Sequence, residues 1–305
     1  MPNENSLINL GDISKPATVL IEKISDVIGG YFKPYQIRRV AKAEADAEII
    51  KAQAQIEVTD LQRRALVRFV TEEARKQDNI ENITQKALPQ LEETSNPKNM
   101  EDDWVANFFD KCRIVSDEEM QSLWAKVLAG EANSPGTYSK RTVNFLSSLD
   151  KTDANLFTSL CGFGWFIGDI VPLIFDAKQP IYNGQGINFN TLTHLDDIGL
   201  VSFNSLAGFK RLKFPKRIII IYYRSLFTIE FKKESDNDLE IGHVLLTKIG
   251  QQLASICGSK PVDGFQDYVI ERWIKGGLII SSPYPKIDLT PEQVAPPYAH
   301  KAAPR

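Results

Sequence analysis

The strongest constraint on the fold is a run of about forty residues, 35–76, that contains neither glycine nor proline and is built from Ala, Glu, Lys, Arg, Gln and Ile. Those residue types favour an uninterrupted helix. At 1.5 Å per residue the run would span roughly 60 Å, too long to lie wholly against a small domain. Its apolar positions, among them Ile37, Val40, Ile49, Ile56, Leu61, Phe69 and Val70, form a thin, alanine-rich stripe rather than firm leucine heptads. Such a stripe predicts either a weak coiled coil or an arm that needs a partner.

Ahead of that run, residues 16–32 read as an amphipathic helix, because Val19, Leu20, Ile24, Val27, Ile28 and Tyr31 recur at three- and four-residue spacings. Gly29 and Gly30 weaken it and Pro34 ends it. Two roles stay open for its apolar face. It can pack on a protein core or partner, or it can lie in a membrane interface, where Lys33, Arg38, Arg39 and Lys42 would meet anionic lipid.

Downstream, Pro89, Pro97 and the polar stretch 92–96 predict a linker. A helical block follows. Trp104, Phe108, Phe109 and Cys112 share one apolar face, and Ser116 with Glu119 has capping-box spacing ahead of Met120, Leu123, Trp124, Val127 and Leu128. Residues 138–149 and 152–165 predict two further helices, the second opened by a Thr152–Asp153 cap signal. The last third changes character: a short helix over 189–200, strands over 218–223 and 227–231, a charged turn over 234–240, and a helix from Thr247 through Ile256. That order of helix, hairpin and helix resembles a winged-helix module. The expected fold is mainly α with a small α+β C-terminal module. Its expected divisions are an amphipathic segment 1–34, a charged helical arm 35–91, a linker 92–100, a helical bundle 101–175, a winged-helix-like module 176–282 and a Pro-rich tail 283–305.

Candidate chemistry is sparse. The three cysteines, Cys112, Cys161 and Cys257, lie far apart without C-x-x-C spacing, which argues against a disulfide framework or a zinc site. The three histidines, His194, His243 and His300, sit in no metal-ligand motif. Gly162, Gly164 and Gly168 fall one residue off the dinucleotide fingerprint and follow a predicted helix rather than a strand. Acidic pairs such as Asp102–Asp103 and Asp196–Asp197 read as helix caps. No catalytic residue, no cofactor, no metal and no small-molecule substrate is expected. Residues 2–5 lack the basic start and apolar core of a signal peptide, and no long window is free of charge. A cytoplasmic location follows as the expectation, with peripheral contact at the inner face of the membrane if the first helix binds lipid.

The net charge of −3 gives no global attraction to nucleic acid, so any such affinity must be local. One stretch stands out. Between Ile198 and Ile229 there is no acidic residue, while Lys210, Arg211, Lys213, Lys216, Arg217 and Arg224 are basic and Phe209, Phe214, Tyr222 and Tyr223 interleave with them. On a hairpin such residues could grip phosphates and stack bases, or they could simply protect an exposed strand edge.

Residues 116–131 (SDEEMQSLWAKVLAGE), the 135–142 segment PGTYSKRT and the 153–157 segment DANLF resemble an uncharacterised bacterial family carrying a domain of unknown function. More distantly, the layout is similar to the Abi-alpha abortive-infection family. These resemblances imply a bacterial, phage-defence setting and no catalytic residues. The Ala43–Glu48 run also resembles the Ala/Glu helices of flotillin and prohibitin proteins, in composition only. The functional expectation is a non-enzymatic interaction protein whose N-terminal helices engage a membrane surface, a protein partner or further copies of the chain. The alternative is a nucleic-acid-binding regulator using the basic segment 210–224.

Overall fold

A computed structural model describes residues 14–29 and 59–282, and the chain divides into two compact units, Met1–Ser148 and Leu149–Arg305. The first unit is helical. Helix α1 (Lys15–Ile28) is capped by Ser14, whose side chain accepts from the Ala17 amide. Helix α2 (Asp60–Ala87) begins at Thr59 with a reciprocal capping box to Gln62. Thr59 is itself extended, at φ −58° and ψ 153°, so the long helix expected over 35–76 does not run unbroken through this residue. Helix α2 instead carries on eleven residues past Lys76, to Ala87.

Helices α3 (Asp102–Cys112), α4 (Glu118–Asn133) and α5 (Lys140–Leu146) follow in this unit. The expected Ser116 cap is corrected to Asp117, whose carboxylate accepts from the Glu119 and Met120 amides. Ser116 instead accepts from the Asn79 side-chain amide at 3.2 Å. The core gathers on aromatics: Phe108 stacks on Trp104 and meets the edge of Trp124, each at 5.1 Å, and the Trp104 indole donates to the Tyr138 carbonyl. The proline-bearing stretch after α2 packs as well, with Pro97 and Met100 buried and the Ser95 hydroxyl donating to Asn133.

The second unit overturns the expected fold class, which was mainly α with a small winged-helix module. Among the described residues, helices α6 (Lys151–Cys161), α7 (Pro180–Asn183), α8 (Phe189–Asp197), α9 (Lys248–Ala254) and α10 (Phe265–Lys275) accompany nine strands, making a mixed α/β fold. A five-stranded antiparallel sheet runs β2 (Ile170–Pro172), β1 (Gly164–Phe166), β5 (Arg217–Tyr222), β6 (Ser225–Glu230), β9 (Ile279–Ser281). Two further antiparallel pairs are β3 (Val201–Phe203) with β8 (Val244–Leu246), and β4 (Phe209–Phe214) with β7 (Asn237–Gly242).

The β5–β6 hairpin falls where expected, in register from Arg217 opposite Glu230 to Tyr222 opposite Ser225. The winged-helix reading fails because that hairpin sits in the middle of a sheet, flanked by β1 on one side and β9 on the other. Trp165, read as part of a helix, lies on β1, since α6 stops at Cys161. The expected charged turn over 234–240 is largely strand: Leu239 and Ile241 are buried while Asp238 and Glu240 face solvent, the period-two alternation of a half-buried strand. Gly242 has φ +89°, and a Cβ there would overlap the Ile174 carbonyl across a parallel bridge. Trp165 anchors the core, stacked on Tyr222 at 4.9 Å and edge-on to Trp273 at 5.2 Å.

Candidate functional site

Helix α1 turns its apolar face inward. Leu20 and Ile24 are fully buried, against α3 and the short turn Pro97–Asn99, and burial of each such side chain is worth about 1.5–3 kcal/mol. Val19, Val27 and Ile28 are half-buried at the margin of that contact, and Tyr31 lies outside the described residues. Lys23 pairs with Asp102 at the start of α3.

Helix α2 behaves differently along its length. From Asn79 onward it buries Asn79, Ile80, Glu81, Ile83, Thr84 and Ala87 against α4. The Asn79 amide donates to the Arg113 carbonyl at 2.9 Å and its side-chain oxygen accepts from Gln121 at 3.2 Å, so the buried polar groups are matched. Residues 60–78, by contrast, contain no buried position and extend for roughly 28 Å. Leu61 is 68% exposed, Leu66 42%, Val67 46% and Phe69 61%. Leu61, Ala65, Leu66, Phe69 and Val70 fall within about half the helix circumference. These side chains leave an apolar stripe of α2 uncovered.

The basic residues are spread over two sheets and their connecting turns rather than one hairpin. Lys210 and Arg211 are on β4, which pairs with β7 and not with β5; Lys213 is also on β4, at φ 63°. Arg217 starts β5, and Arg224 lies in the β5–β6 turn. Arg211 donates to the Ile167 carbonyl and pairs with Asp169, and partial burial lowers its pKa. Lys216 meets Glu234 at 2.6 Å and Arg217 meets Glu230 at 3.0 Å. Acidic residues flanking the stretch therefore offset much of its charge. Among the described residues, Lys210, Lys213 and Arg224 form no ion pair.

The histidines are dispersed. His194 lies 2.8 Å from Asp153 on α6 rather than beside Asp196, His243 meets the Asn204 carbonyl at 2.7 Å, and His300 is outside the described residues. The glycine motif forms no phosphate cradle: Gly162 sits against the Lys260 carbonyl and Gly164 begins β1. Among the described residues no group of His, Cys, Asp or Glu could hold a metal ion, and no helix is long and apolar enough to cross a membrane.

Cys161, the last residue of α6, is a buried free cysteine, and Cys257, just beyond α9, donates its thiol to the Ala254 carbonyl at 3.4 Å. The segments are sewn together by Tyr222 and Tyr223. The Tyr222 hydroxyl donates to the Gly162 carbonyl at 2.9 Å and accepts from the Val262 amide at 2.8 Å. The Tyr223 hydroxyl lies 2.9 Å from Ser259 Oγ and 3.4 Å from the Cys161 carbonyl. Tyr223 reaches them from a left-handed backbone at φ 50°, a conformation that costs a non-glycine residue about 1 kcal/mol. Its only advance signal was an aromatic residue placed in a two-residue hairpin turn.

With this geometry in view, comparison with known families is decisive on one point. Residues 63–270 match the family model described as Protein of unknown function (DUF2806). The chain belongs to this family. That membership bears out the resemblance to a domain-of-unknown-function family. No curated protein and no solved structure matches the chain. The DUF2806 region takes in most of the exposed stretch of α2, its buried half, and both Cys161 and Cys257, and it leaves α1 and β9 outside.

Proposed function

We propose that the chain is a non-enzymatic interaction protein that pairs with a second copy of itself through residues 60–78 of α2. The observation that carries this reading is the exposure of Leu61 and Phe69, 68% and 61%, on a helix whose other half is buried. Charge favours a second copy running antiparallel. Asp60, Arg63 and Arg64 of one helix then stand opposite Lys76, Glu73 and Glu72 of the other, an arrangement of opposite charges flanking an apolar seam. Within one helix Arg64 meets Asp60 at 3.6 Å and Arg68 meets Glu72 at 3.7 Å, loose, exposed pairs worth a few tenths of a kcal/mol each, while Lys76 meets Glu73 at 2.6 Å. The loose pairs can be exchanged for pairs between copies at little cost. The bacterial setting rests on the two family resemblances, and the abortive-infection role on the Abi-alpha resemblance.

Sedimentation velocity tests the reading. The wild-type chain should sediment as a dimer, and Leu66→Glu combined with Phe69→Glu should sediment as a monomer with unchanged far-UV circular dichroism. A wild-type monomer at high micromolar concentration would overturn it.

A further inference from the structure

We propose that a cleft in the second unit is a binding site for a small aliphatic zwitterion, a free amino acid with a branched hydrocarbon side chain. The cleft opens between the end of α6, the short α7 and the loop 258–263 ahead of α10, so it does not depend on pairing through α2. Its volume of about 550 Å³ falls within the roughly 300–1,000 Å³ of small-ligand sites.

Two opposite charges define the ligand. Lys260 and Asp263 both line the cleft, yet they do not pair with each other, and among the described residues neither has an ion-pair partner. A zwitterion satisfies both at once. Its carboxylate accepts from the Lys260 ammonium while its own ammonium donates to the Asp263 carboxylate, charge-assisted bonds roughly twice as strong as neutral ones. The Ser159 hydroxyl and the Gln185 side-chain amide line the same space without a hydrogen-bond partner among the described residues, and they complete the polar wall. A phosphorylated ligand fits poorly: among the described residues Lys260 is the one cation lining the cleft, and Asp263 repels a second negative charge.

The rest of the lining sets the body of the ligand. Ile181 and Val262, with Pro180 and Pro261, supply aliphatic surface. Among the described residues no aromatic side chain lines the cleft to stack on a planar ring, so a branched hydrocarbon is the better match.

The loop that carries both charges is held in place without a ligand. Pro261 fixes its own φ and biases Lys260 toward extended backbone. The Val262 amide donates to the Tyr222 hydroxyl, which itself donates to the Gly162 carbonyl, and the Tyr223 hydroxyl reaches Ser259 at 2.9 Å. Gly162 seats directly against this loop, where a Cβ would come within 3.0 Å of both the Lys260 carbonyl and the Val262 side chain. The left-handed backbone of Tyr223 is thus tied to the placement of the loop, and a loop ordered in advance lowers the cost of binding.

Ligand-observed NMR titration of the full-length chain compares L-leucine with 4-methylpentanoate, which lacks the ammonium, and with 3-methylbutylamine, which lacks the carboxylate. L-Leucine should saturate and bind at least about tenfold more tightly than either analogue, the effect of losing one charge-assisted hydrogen bond. Lys260→Ala should weaken L-leucine about tenfold without weakening 3-methylbutylamine, and Asp263→Asn should weaken it as much without weakening 4-methylpentanoate. Both side chains are exposed, so far-UV circular dichroism should be unchanged in each variant. No saturable binding of L-leucine, equal affinity for the three compounds, or variants that bind L-leucine as well as the wild type does, would overturn the proposal.

Discussion

The two segments of α2 share one helix, yet residues 79–87 are packed and residues 60–78 stand in solvent. Helix formation is local in both: a capping box at Thr59 starts it, and Ala, Arg, Glu and Gln sustain it. Burial is not local. Ile83 is fully hidden because α4 lies opposite it, whereas Leu61 and Phe69 meet nothing comparable among the described residues. Amphipathic spacing thus reports that a face is apolar, and the fold decides whether that face is used within the chain.

This contrast predicts a wide spread of mutational effects along a single helix. Ile83→Ala should cost about 2–5 kcal/mol in urea unfolding, the range for truncating a fully buried aliphatic side chain. Phe69→Ala, measured on dilute chain, should stay within about 0.5 kcal/mol, as surface substitutions do. Equal costs at the two positions would break the comparison. Asn79→Ala comes next, at about 1–3 kcal/mol, because it leaves the Arg113 carbonyl without the Asn79 donor and one Gln121 amide hydrogen without its acceptor, while Gln121 keeps its bond to the Val115 carbonyl. Thr59→Ala should cost ~1 kcal/mol by removing the cap. Its signature is local: hydrogen exchange should quicken over the first turns of α2 and remain unchanged beyond Asn79.

Helical features were legible where they were long or carried a cap. The Trp104, Phe108, Cys112 face and the run through Trp124 and Leu128 both followed from three- and four-residue spacing. The cap at Asp117 was misplaced by one residue because Ser116 offers the same chemistry in the neighbouring position. The sheet was largely hidden. Strands β1, β2, β3, β8 and β9 are three residues each, too short for an alternating pattern to stand out, and β7 conceals its buried Leu239 and Ile241 among acidic neighbours. The contacts of Tyr223 were beyond reach for a different reason: its hydroxyl meets the Cys161 carbonyl and Ser259 only because the chain reverses between them, and none of the three signals a contact in isolation.

Antiparallel pairing of α2 is measured most directly by pulsed electron spin resonance on full-length protein carrying one nitroxide per chain, at Asp60 or at Arg68. The charge register places Arg68 near the centre of the pair, so its label should give a short distance between copies, and the Asp60 label a distance longer by roughly 24 Å along the axis. Equal distances at the two positions, or no coupling between copies at either, would contradict the account.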